Sequence, residues 1–161
     1  MLSNRLQVSA NTTHIQKRYQ DSDLAHYYDG HSNSQAALVM YQPKSQLLIY
    51  SGVDWLQDRL ADEAESSNKQ GIRSGFLYFG DSLGINGNIR YSKRNFLADN
   101  IWYGIHRKDN EYELNVAAWR KQWQWKGFTP KLNYRYQKIE SNLPLYERNN
   151  ATWFMTIDKI F

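Results

Sequence analysis

Period-two alternation of apolar and polar residues recurs along this chain, and no other feature restricts its fold so severely. In 85–94, Ile85, Gly87, Ile89 and Tyr91 alternate with Asn86, Asn88, Arg90, Ser92 and Arg94. In 111–121, Tyr112, Leu114, Val116 and Ala118 alternate with Glu113, Asn115, Ala117, Trp119 and Lys121. Leu132, Tyr134 and Tyr136 alternate with Lys131, Asn133, Arg135 and Gln137, and Leu6, Val8 and Ala10 repeat the pattern near the start. Successive side chains on a strand point to opposite faces, so each segment reads as a strand with one apolar and one polar face. Weaker aromatic and β-branched stretches fill the intervals. Nine strands are predicted, at 5–19, 34–42, 46–58, 70–80, 84–95, 98–108, 111–123, 128–139 and 151–161, with a tenth around 23–29. Turns are expected at Pro43-Lys44-Ser45 and at the Asp109-Asn110 pair.

One stretch competes for helix. Asp54-Trp55-Leu56-Gln57 has the form of a capping box, and Leu56 and Leu60 sit at helical spacing. The extended reading is preferred because Leu47, Ile49, Val53 and Trp55 then share one face. No solenoid repeat and no Pro/Gly linker is visible. Residues 1–161 therefore read as a single all-β domain, an antiparallel up-and-down meander.

A meander of this kind buries its apolar face in a sandwich, a small soluble barrel or a membrane barrel. The first two place apolar residues inside; the third places them outside against lipid, around a polar lumen. The predicted strands run to about 10–14 residues, against roughly 5–6 for soluble sheets and roughly 9–11 for membrane strands. The polar faces hold Asn, Gln, Arg and Ser, as a wet lumen would. Of 161 residues 12 are Tyr, 6 Trp and 6 Phe, so an aromatic belt has material to form from. Trp123, Trp125, Phe128, Trp153 and Phe161 are the expected barrel-end aromatics. A helical span is excluded, since the longest apolar run, Ala36–Tyr41, falls far short of the roughly 20 residues required. Residues 1–30 lack the apolar stretch of a secretory signal. The absence of Cys removes disulfide and thiolate chemistry, and a net charge of +4 is too small to indicate nucleic acid as a partner.

The C-terminal third carries a family resemblance. Gly104-Ile-His-Arg-Lys-Asp109, Gly127-Phe-Thr-Pro-Lys-Leu132, Tyr136-Gln-Lys-Ile-Glu-Ser-Asn142, Leu145-Tyr146 and the closing Ile157-Asp-Lys-Ile-Phe161 resemble the surface lipoprotein assembly modifier family. Arg18-Tyr19 through Gly75 fits its earlier barrel strands more loosely. The resemblance implies an outer-membrane β-barrel that helps particular lipoproteins reach the cell surface. It also implies a periplasmic helical-repeat domain before a fourteen-strand barrel. Neither that domain nor a signal peptide is present in this sequence, so the expectation is a truncated or split product. Such a product is an open fragment of the barrel, with strands near 5–19 and 151–161 as its edges. Implied partners are outer-membrane lipid, a client surface lipoprotein, the barrel-assembly machinery and a separate chain supplying missing strands. Two alternatives remain at this stage: a passive outer-membrane pore or structural barrel, and a soluble lipocalin-like binding barrel.

No constellation points to catalysis, a metal or a cofactor. His14, His26, His31 and His106 lack ligand spacing. Gly84-Ile-Asn-Gly87 lacks the helix that a phosphate loop requires, and neither Gly-x-Ser-x-Gly nor His-Glu-x-x-His occurs. Asp21 with Asp23 and Glu63 with Glu65 fall in polar connections, and Asn11-Thr-Thr13 and Asn150-Ala-Thr152 are chance-prone glycosylation triplets. What stands out is a basic luminal face. Arg5, Arg73, Arg90, Arg94, Lys121, Lys131 and Arg135 fall there, against Asp54, Glu113 and Asp158, fit either to guide an acidic polypeptide or to form a solvated wall. Lys159 falls on the apolar face, where its stem can snorkel to headgroups. With the C-terminus in the periplasm, 140–150 and 108–110 are expected outside and 124–127 inside.

Overall fold

The computed structural model describes residues 5–159, so the expected barrel-end aromatic Phe161 lies outside the described residues. It shows eight strands: β1 (Leu6–Lys17), β2 (Gly30–Lys44), β3 (Leu47–Leu60), β4 (Ser67–Phe79), β5 (Leu83–Asp99), β6 (His106–Arg120), β7 (Phe128–Ser141) and β8 (Arg148–Lys159). Each pairs antiparallel with its sequence neighbours in one sheet, in the order β1 to β8. The sheet does not close, because β1 and β8 are its two edges. The all-β meander and the long strands are as the alternation predicts, and the open edges are as the family resemblance implies.

Four expectations need correction. The predicted strand at 98–108 does not exist. β5 runs on to Asp99, and the chain reverses where Asn100 Oδ1 accepts Trp102 N at 3.1 Å and Asn100 O accepts Gly104 N at 2.8 Å. Gly104 supplies the left-handed residue, at φ 64°. The Asp109-Asn110 pair consequently lies inside β6, opposite Ser141 and Glu140. Residues 23–29 are largely helical rather than a tenth strand, in α1 (Ser22–Tyr28). Its N-cap, Asp21, accepts from Asp23 N and Leu24 N at 2.9 and 3.2 Å. Pro43 lies within β2 at an irregularity of register, and the turn follows it.

The register fixes which residues share a face. One face carries Val39, Ile49, Ile72, Phe76, Ile89, Leu114, Trp153 and Met155; the other carries Asp54, Asp58, Lys69, Arg73, Arg90, Arg94 and Glu111. In a flat single sheet both faces would be equally wet. Here Ile72 is 60% exposed and Lys69, three residues away on the opposite face, only 6%. Among the described residues, every buried strand residue other than glycine lies on the charged face. The sheet is therefore curled around its charges, with its apolar face turned outward, the inverse of a water-soluble barrel.

Glycine lets the inner face curl this tightly. A Cβ at Gly84 would lie 2.1 Å from the Trp119 indole, and one at Gly75 would lie 2.5 Å from the Tyr50 ring. These aromatic side chains lie over backbone that a larger residue would hold away.

Candidate functional site: the charged inner face

The inner face is densest in charge toward the end bearing α1. Lys17 Nζ reaches Asp58 Oδ1 at 3.1 Å, and the Ser32 hydroxyl donates to the same carboxylate. Arg94 contacts Asp58 at 3.5 Å and Glu111 at 2.8 Å, while Lys69 holds the second Glu111 oxygen at 2.5 Å. Five groups on β1, β3, β4, β5 and β6 thus form one continuous network. Several members reach over an intervening strand, about 10 Å for two strand spacings, as only long side chains on a concave wall can. Leaving such a charge buried and unpaired costs several kcal/mol (on the order of 3–5), so the network is mutually obligatory.

Below it, Arg90 pairs with Asp54 and approaches Glu113 at 3.9 Å. Arg73 stands directly opposite Arg90 in the register, and no carboxylate pairs with it among the described residues. Arg73 Nε, Arg90 Nε, Asp54 Oδ1 and Ser92 Oγ are buried without a protein partner. Polar atoms in that state need a wet or polar occupant beside them. Farther along, Asn115 Nδ2 donates to Asn88 Oδ1 while Asn115 Oδ1 accepts from Arg135 Nε, each at 3.1 Å, so amides line the wall. Lys131 pairs with Asp158 and sits over the Trp119 ring at 4.6 Å.

Arg73, Arg90, Arg94, Lys131 and Arg135 therefore share one face, whereas Lys121 lies beyond β6, in the 3-10 turn Lys121–Trp123. Arg5 precedes β1, its guanidinium donating to Pro43 O at 3.3 Å. The sequence reading understated the acids and the remaining cations. Asp58, Asp109 and Glu111 also face inward, as do Lys17, Lys69 and Arg107, so most of the cations on this wall are held in ion pairs. The available signal was parity: Asp109, Glu111 and Glu113 alternate, and placing a turn at Asp109 broke that run.

The aromatics divide. Trp123, Trp125 and Phe128 cluster around the β6–β7 turn, with Trp125 bridging to Phe128. Trp153 lies mid-strand in β8, tilted against Tyr134 with ring centroids 4.6 Å apart, which corrects its placement at a barrel end. At the opposite end the loops are latched together. The Arg107 guanidinium lies between the Phe96 and Tyr146 rings at 4.4 and 3.7 Å, and its Nη2 reaches Asp109 at 2.6 Å. Asn100 Nδ2 donates to Tyr146 Oη at 2.8 Å. Burial pushes the nearby Glu65 carboxyl above its ordinary range, with Arg107 opposing and Asp62 adding to the rise. Glu65 in turn raises the Tyr28 phenol.

Among the described residues no group of His, Asp and Glu has the arrangement of a metal site, and no helix is long and apolar enough to cross a membrane.

A sequence model described as "Surface lipoprotein assembly modifier" matches residues 1–161. A protein of that name from Pasteurella multocida is 27% identical over 92% of this chain and 30% of its own length. "Surface lipoprotein assembly modifier 1" of Haemophilus influenzae is 24% identical over 99% of this chain and 33% of its own. "Surface lipoprotein assembly modifier 2" of Neisseria meningitidis is 23% identical over 94% and 32%. The chain thus spans about a third of the length of the curated relatives it matches. No solved structure matches it.

Proposed function

This chain belongs to the surface lipoprotein assembly modifier family, and from that premise we propose that it forms part of an outer-membrane β-barrel that assists the translocation and display of surface lipoproteins. The observation that carries the reading is the inversion of the two faces over a sequence that the family covers from end to end. The outward apolar residues extend about 26 Å along β3 (Leu47 to Trp55) and along β7 (Phe128 to Tyr136), at about 3.3 Å per residue. Each stretch is nine residues long, and a strand tilted by about 45° crosses the hydrocarbon core in roughly 9–11 residues. Beyond it toward the α1 end, outward positions become polar, with Gln57, Gln70, Lys93, Asn110 and Lys138 in succession on five strands.

In this reading connections 18–29, 61–66, 100–105 and 142–147, on average the longer set, face outside, and 45–46, 80–82 and 121–127 face the periplasm. The role is non-enzymatic. The edges β1 and β8 take strands from elsewhere, either from the remainder of a full-length protein or from a separate chain. Left open to lipid, each unsatisfied backbone group would cost several kcal/mol. The barrel-assembly machinery inserts the closed product. The inner wall then offers a path lined by paired charges and amides, with Arg73 and the unsatisfied polar atoms beside it able to contact a passing polypeptide.

The test replaces the corresponding third of a full-length relative with residues 1–161 in cells carrying its client lipoprotein. Protease shaving of intact cells reads client display. Restored display supports the role; a correctly inserted chimera that leaves the client inside refutes it.

A further inference from the structure

The turn between β6 and β7 is the longest at its end of the sheet, and its chemistry differs from that of the loops opposite. Connections 18–29, 61–66, 100–105 and 142–147 contain seven carboxylates and a single basic Lys or Arg, Arg18. Connections 45–46, 80–82 and 121–127 contain Lys121 and Lys126 against Asp81, and Arg120 ends β6 immediately before them. Arg120, Lys121 and Lys126 are exposed, and none forms an ion pair with a carboxylate among the described residues. Two indoles stand among them, Trp123 50% and Trp125 67% exposed.

The backbone presents these groups rigidly. Trp125 and Phe128 exchange N–H···O bonds of 2.9 Å in each direction, closing a two-residue hairpin turn over Lys126-Gly127. Both turn residues are left-handed, at φ 49° and 84°. Such turns favour Asn-Gly, and a lysine in the first position is strained. A lysine at a position that asparagine would fit better points to a use for its charge. Its ammonium stands 4.9 Å from the Trp125 ring centroid, and Lys159 lies 5.2 Å from that of Phe128. The turn also continues the outward apolar surface of Phe128, Leu132, Met155 and Ile157.

We infer that the β6–β7 turn is a headgroup-binding anchor for anionic phospholipid, with Trp123 and Trp125 at the interfacial level and Lys121 and Lys126 on lipid phosphates. The inference rests on the membrane reading above and deepens it. It assigns this end of the sheet to a leaflet rich in anionic phospholipid and leaves the acidic loops on the far side. Lysine near an anionic bilayer strengthens binding by about 1 kcal/mol, or about fivefold.

The experiment takes the full-length chimera carrying residues 1–161, in which the relative's strands pair with β1 and β8, refolds it from urea with vesicles of phosphatidylcholine alone or with added phosphatidylglycerol, and reads flotation through a density gradient. The variant is Lys121→Gln with Lys126→Asn. Asparagine suits the left-handed position better than lysine, so misfolding of the turn does not account for a loss. A control with the same charge, Lys93→Gln with Lys108→Gln, alters two outward lysines at the polar end. Wild type and control are expected to prefer the phosphatidylglycerol vesicles, with the turn variant about 25-fold weaker on them and unchanged on phosphatidylcholine. Equal flotation of wild type with both lipids, or a turn variant that keeps the preference, overturns the anchor while the membrane reading stands. Flotation with neither lipid overturns both.

Discussion

Ile89→Arg separates a lipid-facing sheet from a water-facing one by the size of a single free-energy change. Ile89 lies near the middle of the outward band of β5, is 58% exposed, and is flanked in the register by Ser74 and Leu114. Little packing is lost on replacing so exposed a side chain. In water the change would fall within about 0.5 kcal/mol. Near the middle of a bilayer an outward arginine costs about 2–4 kcal/mol, roughly a 30- to 1,000-fold loss in the folding equilibrium. Asn95→Arg is the control, since Asn95 faces the same way on the same strand, six residues toward the polar end, and is exposed. Its cost should stay below about 1 kcal/mol, as at an interface. The assay is urea titration of tryptophan fluorescence for each variant, carried in the full-length chimera so that the sheet edges are paired, folded into lipid vesicles. Equal costs at the two positions, or an Ile89→Arg variant as stable as wild type, would refute the assignment of this face to lipid.

Other perturbations probe the inner wall and the loops. Glu111→Gln strips both Lys69 and Arg94 of their shared partner and is expected to cost about 3–5 kcal/mol, whereas Glu111→Met with Lys69→Met should cost far less; a vesicle-based double-mutant cycle measures the difference. Tyr146→Leu opens one side of the Arg107 sandwich and should speed proteolysis within 142–147 while leaving 121–127 unchanged. The fold disfavours ionised Glu65, a penalty absent below the unfolded value near 4.5 and complete above the raised native one. Glu65→Gln should therefore stabilise the protein at neutral pH, with the gain vanishing as pH falls below that lower value. The same variant should lower the Tyr28 titration midpoint, followed by ultraviolet absorbance.

Alternation in the sequence alone determined the all-β class and the faces of the segments 85–94, 111–121 and 131–137, because side-chain period is a local property of extended backbone. It places Ile89 and Val116 on the face opposite Arg90 and Asn115 without reference to any pairing. The family, too, was legible in the residues of the C-terminal third. Local signals were present but outweighed at two places: Asp21 as a helix cap, and Asn100 with Gly104 as a reversal inside an apolar run. Only the tertiary structure decided which charges meet. Asp58, Arg94, Glu111 and Lys69 are dispersed over residues 58–111 and come together through register and curvature, which no local pattern encodes. Likewise, period two gives each strand a charged and an apolar face but does not say which one the sheet encloses. That choice follows from the direction of curl, which buries Lys69 and exposes Ile72.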